Sequence, residues 1–151
     1  MYEEMMNDKI ITFIENNGYK SYVQIPISLG KVDFVGINND ECIIVESKVH
    51  NWKKALKQVI IYGYGAEKSY IAIPNPTAEY IKKKHDIILK KYGIGLIKVD
   101  NEAVEIIPCI KKNPSDMFKN IILKEIYKRD KESKKRISNL MEKYNNGRTM
   151  V

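Results

Sequence analysis

The stretch Cys42-Ile43-Ile44-Val45-Glu46-Ser47-Lys48 constrains this chain more than any other. Its first four residues form an unbroken apolar run rich in β-branched side chains, set off by the turn residues Asn38-Asn39-Asp40. Such a run reads as a central strand covered on both faces, so other elements must pack above and below it. The run then stops in an acid and a base. Glu46 and Lys48 at the end of a buried strand are costly unless a partner or a metal ion compensates them.

The flanking sequence supplies the covering layers. Met5, Met6, Ile10, Phe13 and Ile14 fall on one helical face, and Asn16-Asn17-Gly18 ends that helix, placed over residues 2–16. Residues 22–27 read as a strand whose Pro26 suits an edge or a bulge. Residues 32–37 form the next, and the short links predict an antiparallel meander of three strands. A helix follows over residues 53–64, then a strand over 69–73. One helix from Thr77, its expected N-cap, to Tyr92 and a hairpin over 94–99 and 103–107 complete the body. Residues 115–144 read as a final helix with apolar Phe118, Ile122 and Ile126, later Ile137, Leu140, Met141 and Tyr144. The fold class is α/β, a mixed central sheet flanked by helices plus a basic C-terminal helix.

With 151 residues and 44% hydrophobic side chains, the chain has the size of one domain and enough apolar matter for a core. No apolar run approaches the roughly 18 residues of a membrane span, and the start MYEEMMNDKI lacks the basic region of a signal peptide. The expectation is a cytoplasmic protein with no membrane partner. Cys42 and Cys109 are the only cysteines and both sit among apolar residues, so both are expected as buried free thiols.

The net charge of +7 is unevenly placed. Residues 1–110 carry 14 lysines and 14 acids, whereas residues 111–151 carry 12 bases against 5 acids. The sequence therefore divides into a neutral body, 1–110, and a basic helical extension, 111–151. That arrangement suits a core with a phosphate-binding arm, and a polyanion is the expected partner. Within the arm, Lys128, Arg129, Lys134, Lys135 and Arg136 are the candidate nucleic-acid contacts. Its apolar positions also offer a surface for packing on the body or for pairing two subunits as a homodimer.

The chemistry gathers where the second and third strands end. Asp33 lies between apolar residues in one strand, and a hairpin brings it beside Glu46 in the next. A period of two puts Glu46 and Lys48 on one face. Two carboxylates and a backbone carbonyl, that of Ser47, suit a hard cation such as Mg²⁺. A cation there can neutralise a phosphodiester oxygen, while a neighbouring lysine orients water or stabilises developing charge.

In these residues the chain resembles the PD-(D/E)XK nuclease superfamily, also called restriction-endonuclease-like. The resemblance covers residues 2–74, about half of the chain, in the order α-β-β-β-α-β. It implies that Asp33 is the motif aspartate, Glu46 the motif acid and Lys48 the motif lysine; Val32 stands where the superfamily's name has proline. Gln58 and Tyr62 form Q-x-x-x-Y on the following helix, similar to the extra element of RecB-type nucleases, in which the glutamine points at the site. Many members add a glutamate from the first helix, for which Glu4 is the candidate and Glu15, near the helix end, the weaker one. The resemblance implies an Mg²⁺-dependent deoxyribonuclease, with Mn²⁺ an expected substitute and endonucleolytic cleavage favoured over exonucleolytic. The rival from another class is a non-catalytic nucleic-acid-binding or regulatory module that keeps the fold.

The tripeptide alone has no weight, since Glu132-Ser133-Lys134 repeats it inside the charged C-terminal segment with no apolar strand before it. Lys53, Lys54 and Lys57 lie close enough in sequence to the motif to bind phosphates, or form a solvated helix face. Trp52 opens the second helix and could stack on a base. His50 reads as a loop residue and His85 as one in a polar helical run without a companion ligand. No glycine-rich phosphate loop and no nucleophile elbow is present.

Overall fold

The computed structural model describes residues 3–149. Tyr2, which the periodicity places in the first helix, lies outside the described residues. Six strands form one sheet in sequence order: β1 Lys20–Ile27, β2 Gly30–Asn38, β3 Glu41–Ser47, β4 Lys68–Pro74, β5 Gly95–Val99 and β6 Ala103–Ile107. The first three make an antiparallel meander, β3, β4 and β5 run parallel, and β6 returns antiparallel. Pro26 sits on the edge strand β1, where a missing N–H costs no ladder bond.

Parallel neighbours require crossovers, and helices supply them. Helix α2, Trp52–Tyr62, with a 3₁₀ turn over Gly63–Gly65, joins β3 to β4, while α3, Thr77–Lys84, and α4, Asp86–Lys91, join β4 to β5. Helix α1, Glu3–Asn16, covers the opposite face, and α5, Asp116–Thr149, follows β6. The alternation of the strands therefore feeds two cores. Val35, Ile44, Ile71, Ile73 and Leu96 pack beneath Leu56, Val59 and Ile81, together with Ile122 and Ile126 of α5. Phe34, Ile43, Val45, Ala72 and Ile97 pack beneath Met6, Ile10 and Ile14 of α1. Each fully buried isoleucine contributes about 1.5–3 kcal/mol. Gly36 lets α1 approach this closely, since a β-carbon there would stand 2.7 Å from Ile43 and 2.9 Å from Ile14.

The first half of α5 is part of the body. Glu67, buried at the start of β4, accepts hydrogen bonds from the Cys42 N–H at 3.1 Å and from Lys119 Nζ at 3.0 Å. Lys119 also donates to the Asp40 carbonyl, so one ammonium ties α5 to the turn before β3 and to the start of β4. From residue 131 to 145, by contrast, every side chain is exposed.

Four local expectations are corrected. The helix expected over 77–92 breaks at His85, whose backbone (φ −133°, ψ 17°) leaves the helical region. Its ring packs on Trp52 and Tyr80, a tertiary contact that periodicity does not see. Thr77 is the first helical residue and not the cap, which is Pro76 with no side-chain bond. Helix α2 ends at Tyr62, because Gly63 begins the tighter turn. Cys42 is buried and its thiol pKa is raised to about 12 by burial, but Cys109 is only half-buried at the margin of the second core.

Candidate active site

The β2–β3 ladder ends at the pair Phe34–Val45, and beyond it side chains replace backbone partners. Glu46 Oε1 accepts the Asp33 N–H at 3.1 Å, and Asp33 Oδ2 accepts the Ser47 N–H at 3.0 Å. This reciprocal exchange, between residues that would be the next rung, locks both carboxyls side by side on the face covered by α2. Glu46 is almost fully buried, at 1% exposure, whereas Asp33 is partly open. Burial chiefly pushes the Glu46 pKa up to about 9, and Asp33, within hydrogen-bonding reach, adds to the rise. The Asp33 N–H and the Lys48 ammonium act in the other direction.

Helix α2 roofs the pair. Tyr62 feels burial first and then the charges of Glu46 and Asp33, all of which raise its phenol pKa. Its hydroxyl lies 2.8 Å from where a β-carbon of Gly30 would be, so only glycine at that turn leaves it room. One helical turn earlier, Gln58 carries a buried Oε1 with no hydrogen-bond partner. A buried amide oxygen left unpaired costs about 1–3 kcal/mol, a price structures tolerate where a ligand completes the site.

Lys48 acts electrostatically on Glu46 and also meets the first helix. The strand ends at Ser47, so its period does not govern residue 48, and the Lys48 ammonium reaches toward α1, 3.8 Å from Glu3 Oε1. Glu3 thus partners Lys48, while Glu4, the first-helix candidate for a metal ligand, stands beside it on α1. Both acids line an open groove of about 980 Å³ together with Met5, Lys48, Val49, His50, Asn51 and Lys54. Glu15 lies at the far end of α1, hydrogen-bonded to Ser21 Oγ at 2.9 Å. Asn51, in the β3–α2 link, holds a left-handed backbone with φ 58°.

Two further residues join the site: Gln24, which carries no sequence signal, and Arg129, expected only as a nucleic-acid contact. Gln24 of β1 donates to Asp33 Oδ1 at 3.4 Å, from a backbone with φ 53°. Arg129 of α5 donates to the carbonyls of Val23 and Gln24, the latter at 3.0 Å. Its guanidinium is thus engaged on the edge strand, unlike Lys128, Lys134, Lys135 and Arg136, which are exposed along α5. Lys53, Lys54 and Lys57 are exposed on α2, and Glu132 and Lys134 of the repeated tripeptide lie on the exposed half of α5, far in sequence from any strand.

Among the described residues no three His, Cys, Asp or Glu side chains gather as a metal cluster. The donor set that does fit a cation is two carboxylates, the Ser47 carbonyl and water, a hard-oxygen set suited to Mg²⁺, which keeps several waters when bound. Among the described residues no helix is long and apolar enough to cross a membrane.

No family model matches the chain, and no curated protein matches it. Among solved structures it is similar to the SPO1766 protein of unknown function from Silicibacter pomeroyi, with TM-score 0.66 and 13% identity over 90% of this chain and 88% of that one. That likeness shows a shared fold. Partial overlaps occur with Pyrococcus furiosus SfsA, solved in complex with Ca²⁺, at TM-score 0.43 and 14% identity over 73% of this chain and 65% of that one. A protein of unknown function, AF1548, overlaps at TM-score 0.40 and 17% identity over 59% and 54%.

Proposed function

We propose that the protein is a metal-dependent nuclease that hydrolyses DNA phosphodiester bonds, built on the PD-(D/E)XK plan, with endonucleolytic cleavage favoured. The observation that carries this reading is the locked Asp33–Glu46 pair at the end of β3 beneath a helix bearing an orphaned Gln58 oxygen. Asp33, Glu46 and the Ser47 carbonyl would hold Mg²⁺, with Mn²⁺ as a substitute. Bound there, the cation supplies charge neutralisation at a phosphate oxygen and a more acidic water. The chain's own residues do the rest. Gln58 orients the attacking water, Lys48 stabilises charge that develops on the phosphate, and Glu3 holds the lysine at the groove until substrate arrives. Lys53, Lys54 and Lys57 beside the groove, and Lys128, Lys134, Lys135 and Arg136 on α5, draw in the DNA backbone.

A non-catalytic DNA-binding module is the second reading, favoured by one observation: the Lys48 ammonium is already paired with Glu3, 3.8 Å away. Incubation with supercoiled, linear, single-stranded and branched DNA, in Mg²⁺ or in EDTA, separates the two. Cleavage in Mg²⁺ alone, abolished by Asp33→Asn, is the expected result. Binding without cleavage of any of the four substrates supports the second reading.

A further inference from the structure

Three rings meet beside the candidate site. Trp52, the first residue of α2, has its ring centroid 5.0 Å from that of His85, and Tyr80 of α3 lies 5.5 Å from the same imidazole. Trp52 rests against the core but is only partly buried, and Tyr80 is 53% exposed. Both rings thus leave aromatic surface open to solvent, on which a planar ligand can stack.

The surroundings state the ligand's charge. The Lys53 ammonium stands 5.9 Å from the Trp52 ring, and Lys83 and Lys84 lie one helical turn from Tyr80. Among the described residues, neither these lysines nor Lys54 and Lys57 have a carboxylate within 4.0 Å. The nearby acids are already engaged, Glu79 with Lys98 at 3.2 Å and Asp86 with Lys90 at 3.1 Å. Lysines around accessible rings complement a polyanion whose bases offer free π faces. A duplex keeps those faces stacked inside. Lys48 and Trp52 are four residues apart, so their α-carbons lie within about 14 Å. At about 3.4 Å per stacked nucleotide, that separation spans no more than about four nucleotide steps.

We infer that Trp52, His85 and Tyr80 form a stacking surface for unpaired bases, so that the substrate is single-stranded DNA or DNA with a single-stranded segment next to the cleaved bond. The inference rests on the nuclease reading only for which bond is cut. Trp52 is the sole tryptophan of the chain, so its fluorescence reports the surface directly. In EDTA, where no cleavage occurs, a short oligothymidylate should quench that fluorescence. A blunt duplex of equal length, or heparin, a polyanion without bases, should quench much less. Tyr80→Ala should weaken oligothymidylate binding at least about fivefold with the thermal midpoint retained, and Tyr80→Phe should bind like the parent. Equal quenching by duplex or heparin overturns the inference, as does unchanged affinity in a folded Tyr80→Ala. Quenching with no cleavage in Mg²⁺ would remove the nuclease reading and leave the stacking surface standing.

Discussion

At neutral pH the Glu46 carboxyl keeps its proton in the metal-free protein, because burial and the neighbouring Asp33 raise its pKa from 4.5 to about 9. A carboxyl whose pKa is higher folded than unfolded favours the fold fully below the unfolded value and loses that contribution as pH rises through the folded one. Metal-free protein should therefore lose thermal stability between about pH 4.5 and about pH 9. Glu46→Gln, isosteric and uncharged, should flatten that dependence, gain about 1–3 kcal/mol at neutral pH and abolish cleavage. Parallel pH–stability curves for the two proteins would contradict the assignment. Lys48 permits a complementary test. Lys48→Ala should remove cleavage while leaving DNA affinity within a few-fold, since the lysine serves the transition state more than the ground state. Equal losses in both would make it a phosphate contact. Sequence reasoning reached Asp33 and Glu46 because a hairpin of known register fixes which residues become neighbours. It missed Glu3 because the phase of a helix terminus against a loop lysine is set by packing, which one residue of rotation changes.

The elements were legible where one periodicity dominates. The buried run of β3 and the crossover helix after it follow from side-chain pattern alone. The break between α3 and α4 does not, because it arises from His85 meeting Trp52, a residue 33 positions earlier in the chain. Likewise nothing in the strand pattern of β1 announces Gln24, whose left-handed backbone costs about 1–2 kcal/mol and is held by Arg129 from α5. That contact links the last helix to the site, since Gln24 in turn touches Asp33. Arg129→Gln should lower the cleavage rate at saturating DNA between about tenfold and a hundredfold through misplacement of Asp33, with affinity little changed. Loss of affinity at an unchanged saturated rate would return Arg129 to the role of a phosphate contact.

For the whole molecule, the basic segment divides in its packing. Ile122 and Ile126 sit in the core, while residues 131–145, with five bases against two acids, stand in solvent. Replacing Lys128, Lys134, Lys135 and Arg136 by glutamine, with Arg129 kept, should leave folding intact and flatten the salt dependence of DNA binding by on the order of two to four slope units. An unchanged slope would show that α5 is a packing or pairing device and that the groove lysines hold the DNA. The account as a whole depends on one cation lying between the two carboxyls. Crystals soaked in Mn²⁺ and measured at its absorption edge should show an anomalous peak about 2.0–2.3 Å from oxygens of Asp33, Glu46 and the Ser47 carbonyl. No peak there under saturating Mn²⁺, or a peak confined to Glu3 and Glu4 in the groove, would contradict it.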